Sequence, residues 1–114
     1  MKVIHYQEME PAGVETEGAQ GVSIRWLISK TDGAPHFAMR LFEVEPGGHS
    51  PLHTHESEHE VFIIKGEGSV WQEGRELPIK SGSAIYVPSG EKHQFRNTGG
   101  YVMQFICMVP NSAY

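Results

Sequence analysis

Seven histidines occur in 114 residues, and four of them, His49, His53, His55 and His59, fall within eleven positions. Imidazole serves as a metal ligand, as an acid–base group near neutral pH or as an ordinary hydrogen-bonding residue. Clustering favours the first role, because a metal needs several ring nitrogens that converge on one point. Residues two apart on a strand project to the same face, so His53 and His55 can converge directly. His59 has the same parity, although Glu56, Ser57 and Glu58 are polar enough to interrupt a strand between them. His93 opens an apolar stretch well downstream and would have to reach the point from a second strand. His5 and His36 have no such partner and read as structural. Cys107 is the single cysteine. It leaves no intramolecular disulfide and no multi-cysteine zinc site, and it fits a reducing compartment. Any metal must therefore be held by histidine or carboxylate.

The elements that position these side chains read as β-strands. Short alternating or continuous apolar runs recur over 23–29, 36–44, 58–65, 68–72, 76–79, 83–87, 93–97 and 101–109, with no heptad, internal repeat or amphipathic helix. Between them lie Gly, Pro, Asn and Asp clusters of the kind tight turns require, among them Glu45-Pro46-Gly47-Gly48 and Pro88-Ser89-Gly90. Eight short strands in so small a chain imply an all-β sandwich or barrel. The expected organisation is an arm or edge strand over 1–22, a barrel over 23–110 and a polar tail over 111–114. Nine Lys and Arg against fourteen Asp and Glu give a net charge of −5. That balance provides no source for phosphate neutralisation, so neither nucleic acid nor an anionic membrane is an expected partner. No apolar run is long enough to cross a bilayer and the opening residues lack a signal-peptide h-region, so the chain reads as cytoplasmic.

The spacing of these residues resembles the cupin family, small jelly-roll β-barrels whose two motifs carry the metal ligands. Gly47, His53-Thr54-His55, His59 and Gly66 follow the first motif; Gly82, Pro88-Ser89-Gly90, His93 and Asn97 follow the second at every position. Fifteen residues separate Gly66 from Gly82, the short spacing of compact bacterial cupins. The family usually has Glu as its third ligand, and here Glu58-His59-Glu60 stands in that region. Neighbours on a strand face opposite ways, so His59 and Glu60 cannot both point inward without a bulge. The motif's six-residue count to Gly66 starts from His59. The resemblance thus implies a metal held by His53, His55, His59 and His93, similar to the manganese-binding small cupins, with Fe, Ni, Zn or Cu as other occupants. Four neutral imidazoles would leave a divalent ion its full charge, making it a stronger Lewis acid and disfavouring its higher oxidation state, with two octahedral positions open.

Strand parity places Phe95, Val61 and Ile63 on the inward side with the histidines. In the last strand the resemblance favours Phe105, Cys107 and Val109 as pocket lining over Val102, Gln104, Ile106 and Met108. Arg40, a charge in an apolar strand, reads either as an exposed arginine or as an anion anchor in the pocket mouth. Nothing cationic beside Cys107 in sequence activates its thiol, so it reads as a buried hydrophobe before a nucleophile. His49 lies at the margin of the cluster. The leading expectation is a dioxygenase-like oxidoreductase acting on a small chelating substrate or anion. The alternatives are a non-redox lyase, isomerase or cyclase, and a non-catalytic binding protein. Edge strands in need of cover, together with the resemblance, imply a homodimer. Because only neutral imidazole binds metal, release is expected as pH falls toward about 5.

Overall fold

A computed structural model describes all 114 residues. Nine strands follow one another: β1 (Ala12–Gly13), β2 (Gln20–Ile28), β3 (Phe37–His49), β4 (His59–Lys65), β5 (Glu67–Gln72), β6 (Arg75–Lys80), β7 (Ala84–Val87), β8 (His93–Asn97) and β9 (Met103–Pro110). Helical structure is confined to single 3₁₀ turns at Tyr6–Glu8, Lys30–Asp32 and Asn111–Ala113. The sheet runs β6-β5-β8-β3-β9-β4-β7, with β2 also on β3 and β1 on β2, and neighbouring strands are antiparallel. Consecutive strands are often distant in this order, so the sheet curls on itself in the jelly-roll manner. Ala38, Val44, Ile63 and Met103 are fully buried inside the curl. In β9 the alternation holds, with Met103, Phe105, Cys107 and Val109 buried.

One expected turn is absent. Glu45-Pro46-Gly47-Gly48 continues β3 to His49 instead of ending it. Val22 pairs with Val44 and Gln20 with His49, so extra residues of β3 bulge opposite β2. Gly47 adopts φ +79°, and a Cβ on Gly48 would lie 2.6 Å from the Gln20 carbonyl oxygen. Both glycines are therefore demanded by the backbone, one by conformation and one by close approach. The bulge carries β3 away from β9, which it leaves at Val44↔Met103, to β8, which it meets at His49↔Arg96. Turn residues mark the place correctly, but a strand partner across the gap keeps the segment extended.

The acidic arm is ordered against its own barrel. Ala12 and Gly13 pair with Ile24 and Ser23, making a ninth strand that the apolar pattern did not announce. Earlier in the arm, Lys2 bonds the Leu27 carbonyl and Asp32, and Arg25 stacks over Tyr6 at 5.1 Å. β2 begins at Gln20, inside the expected arm. At the other end Tyr114 rests on Trp26, 4.7 Å between ring centroids, and its hydroxyl accepts from the Lys30 N–H, so the tail is docked on the barrel.

Candidate functional site

His59 opens β4 and His93 opens β8, while His53 and His55 lie in the segment between β3 and β4. Long-range backbone bonds pin that segment, beginning with the Ser50 N–H to the Phe95 carbonyl at 2.8 Å. His53 and His93 exchange N–H···O bonds of 3.1 and 3.2 Å, and the Gly90 N–H donates to the His55 carbonyl at 2.9 Å. The Pro88-Ser89-Gly90 turn thus clips the two halves of the site together. The imidazoles converge as a result. Ligand atoms of His53, His55 and His93 all lie within 4.8 Å of one another. His59 abuts this trio through His55, its Nε2 2.5 Å from the Nε2 of His55 and the ring centroids 4.0 Å apart.

The hydrogen bonds behind the rings decide which nitrogens are free. Nδ1 of His55 donates to the Ser57 carbonyl and Nδ1 of His93 to the Glu91 carbonyl, each at 2.8 Å. A neutral ring that donates from Nδ1 keeps a bare lone pair on Nε2, the arrangement that metal-binding histidines use. Burial, reinforced by the neighbouring imidazoles, holds His53 and His93 below the usual histidine range, and His59 is pushed down to about 3. Neutral imidazoles that converge on one point suit a divalent transition ion. Glu60 faces the other side of β4, on the outer surface with Phe62 and Tyr86.

The histidines form one wall of a cavity of about 470 Å³. Arg40, Phe95, Phe105 and Cys107 line it. Val109 is not among its lining residues; it is 2% exposed and packed in the core. Val61 and Ile63 point inward but are likewise core residues. His49 turns away, hydrogen-bonded near Ser50 and Gln94. Several lining residues escaped the sequence reading. Phe42 shares the parity of Arg40 on β3 and was there to be found; Val14, Glu15 and Thr16 come from the arm, whose sequence has no periodicity to read.

The cupin domain family model matches residues 40–109. The chain is a cupin. It is 34% identical over 113 residues to the oxalate-binding protein of Thermotoga maritima, covering 94% of this chain and 92% of that one. The solved structure of the polyketide cyclase RemF from Streptomyces resistomycificus superposes with a TM-score of 0.92 at 34% identity, covering 97% of this chain and 80% of that one. A shorter match, 37% identity over 71 residues, links it to the 1-methylthio-D-xylulose 5-phosphate methylsulfurylase of Rhodospirillum rubrum, of which it spans 46%. The cupin has three histidines positioned to bind a metal, and no helix long and apolar enough to cross a membrane.

The lowered histidine values set a pH dependence for the metal-free cupin. Below about pH 6.5 the unfolded chain protonates these histidines while the fold resists, so the unfolded state binds more protons and stability decreases as the pH is lowered. The contribution is complete above that range and is lost progressively on acidification, down to about 3 for His59. The melting temperature of the metal-free protein should drop between about pH 7 and about pH 4, and drop less steeply in His59→Leu. A wild-type profile that is flat or no steeper than the variant's would contradict this origin.

Proposed function

We propose that this cupin is a metal-dependent enzyme that cyclises or isomerises a chelating, oxygen-rich organic substrate without net redox change. The observation that carries the reading is the size and lining of the space beside the histidines. A two-carbon dianion would occupy a small part of about 470 Å³, whereas the walls contributed by Phe42, Phe95 and Phe105 suit a flat, extended molecule. Near full-length similarity to a polyketide cyclase supports the same class, and similarity to an oxalate-binding protein supports an anionic, chelating substrate.

In this reading His53, His55, His59 and His93 hold one divalent ion, with manganese the first choice among the ions the resemblance implies. Such an ion, when bound, supplies Lewis acidity that polarises a carbonyl. For His59 to bind through Nε2, its Nδ1 must carry the proton. Arg40 has only donors, so the Cys107 sulfur, 3.4 Å from Nδ1, is the acceptor available. The Phe42, Phe95 and Phe105 rings hold the body of the substrate against the histidine wall and keep bulk water from it. An all-imidazole set neutralises none of the ion's charge, which favours Lewis-acid chemistry over a rise in oxidation state.

The deciding experiment supplies an aromatic poly-β-ketone to the manganese-loaded protein under argon and in air. Cyclised product at equal rates in both supports the proposal. Oxygen uptake in proportion to product would replace it with the dioxygenase reading. Tight binding with no turnover in either atmosphere would make the cupin a ligand-binding protein.

A further inference from the structure

Arg40 is held in the middle of the sheet, paired with Trp26 of β2 on one side and Cys107 of β9 on the other. Its guanidinium lies 5.5 Å from the Trp26 ring centroid and 5.0 Å from that of Phe42. Nη2 donates to the Cys107 sulfur at 3.1 Å and faces Nδ1 of His59 at 3.4 Å. Nε is sealed from solvent with no hydrogen-bond partner. Arg40 is the sole cation among the residues lining the cavity, and no carboxylate pairs with it: the ion pairs of the protein are Lys2–Asp32, Arg25–Glu43 and Arg96–Glu76.

A half-buried guanidinium without a counter-ion is costly, and this one stands a single imidazole ring from the histidine cluster. If the cluster holds a divalent ion, two like charges face each other across His59 in a space with little water to screen them. Both are relieved by an anion seated between aromatic walls with its oxygens on the planar guanidinium, the geometry Arg prefers for carboxylates.

We propose that Arg40 recognises a carboxylate or enolate group of the substrate, and that anion and metal bind to this cupin with reciprocal coupling set by the Arg40 charge. The proposal rests on the reading that the histidines hold a divalent ion. The substrate it implies has an anionic group at one end, an aromatic or planar body, and chelating oxygens directed at the histidines.

The test measures manganese affinity of the full chain by calorimetry with and without benzoate, a weakly chelating monocarboxylate, and with neutral benzamide as control. Benzoate should tighten manganese binding on the order of tenfold, manganese should tighten benzoate by the same factor, and benzamide should do neither. In Arg40→Met, manganese should bind more tightly than in wild type when no anion is present, and the benzoate effect should vanish. Arg40→Lys, which keeps the charge, should retain the weaker anion-free metal affinity and part of the coupling, and covers the case in which the methionine variant folds poorly. Benzoate coupling of wild-type size in Arg40→Met, with manganese bound, overturns the role of Arg40 while leaving the metal site standing. Failure of the wild type to bind manganese or any other divalent ion in every condition overturns the metal reading, and this proposal with it.

Discussion

His55→Ala should lower divalent-metal affinity by at least roughly a hundredfold, since metal-binding energy is shared among few ligands and each loss removes a large part of it. His55 is the hub of the cluster, with ring centroids of His53, His93 and His59 at 4.9, 4.8 and 4.0 Å. Its Nδ1 is already committed to the Ser57 carbonyl, so the ring is fixed in the donor-ready tautomer before any ion arrives. His93→Ala should cost a comparable amount, because His93 has the matching bond to Glu91. His59→Ala should weaken binding less than these two and more than Glu60→Ala, which should leave it unchanged, since Glu60 lies on the outer face. Isothermal titration of the four variants checks the order. Near wild-type affinity in His55→Ala, or a larger loss in Glu60→Ala than in His59→Ala, would overturn this assignment.

The largest effect on stability away from the cavity is expected at Asn97. Its side chain is 4% exposed. Its amide donates to the Val44 carbonyl at 2.8 Å and to the Tyr101 carbonyl at 2.7 Å, and its carbonyl accepts from the Gly99 N–H at 2.9 Å. One side chain thus ties the end of β8 to β3 and to the loop that leads into β9. Asn97→Ala strands the Val44 carbonyl in the core, where an unpaired group costs about 1–3 kcal/mol, and breaks the half-buried ties to Tyr101 and Gly99; we expect a total loss of about 3 kcal/mol. Asn97→Asp has the same shape but gives up both donors and sets a carboxylate against two carbonyl oxygens, so it should lose at least as much near neutral pH. Urea unfolding measures both, and a loss below about 1 kcal/mol in either would contradict the assignment.

Asn97 also shows where sequence reading reaches its limit. Its place in the second motif is plain from the spacing to Pro88, Gly90 and His93, yet nothing in that spacing separates a residue that serves the site from one that braces the chain. Strand parity succeeds where both neighbours are local: it puts Phe95 on the side of His93, groups Phe105 with Cys107 and keeps His59 and Glu60 on opposite faces. It fails where the deciding partner is remote. Val109 has the parity of Cys107, but it packs in the core and is not among the lining residues. Glu45-Pro46-Gly47-Gly48 has turn chemistry, but Gln20 and Val22 hold it extended. The contacts of Arg40 come from Trp26, His59 and Cys107, which only the curl of the sheet brings together.

The stretch of the arm that closes one side of the cavity is joined to β2 by the pairs Ala12↔Ile24 and Gly13↔Ser23 and the Val14 N–H to Val22 carbonyl bond. It touches no histidine of the cluster through these bonds and lies outside the stretch that the family model matches. The arm and the imidazoles thus line one cavity from separate segments of the chain. Substitutions at Glu15 and Thr16 would therefore reshape one wall of the cavity without altering a histidine of the cluster.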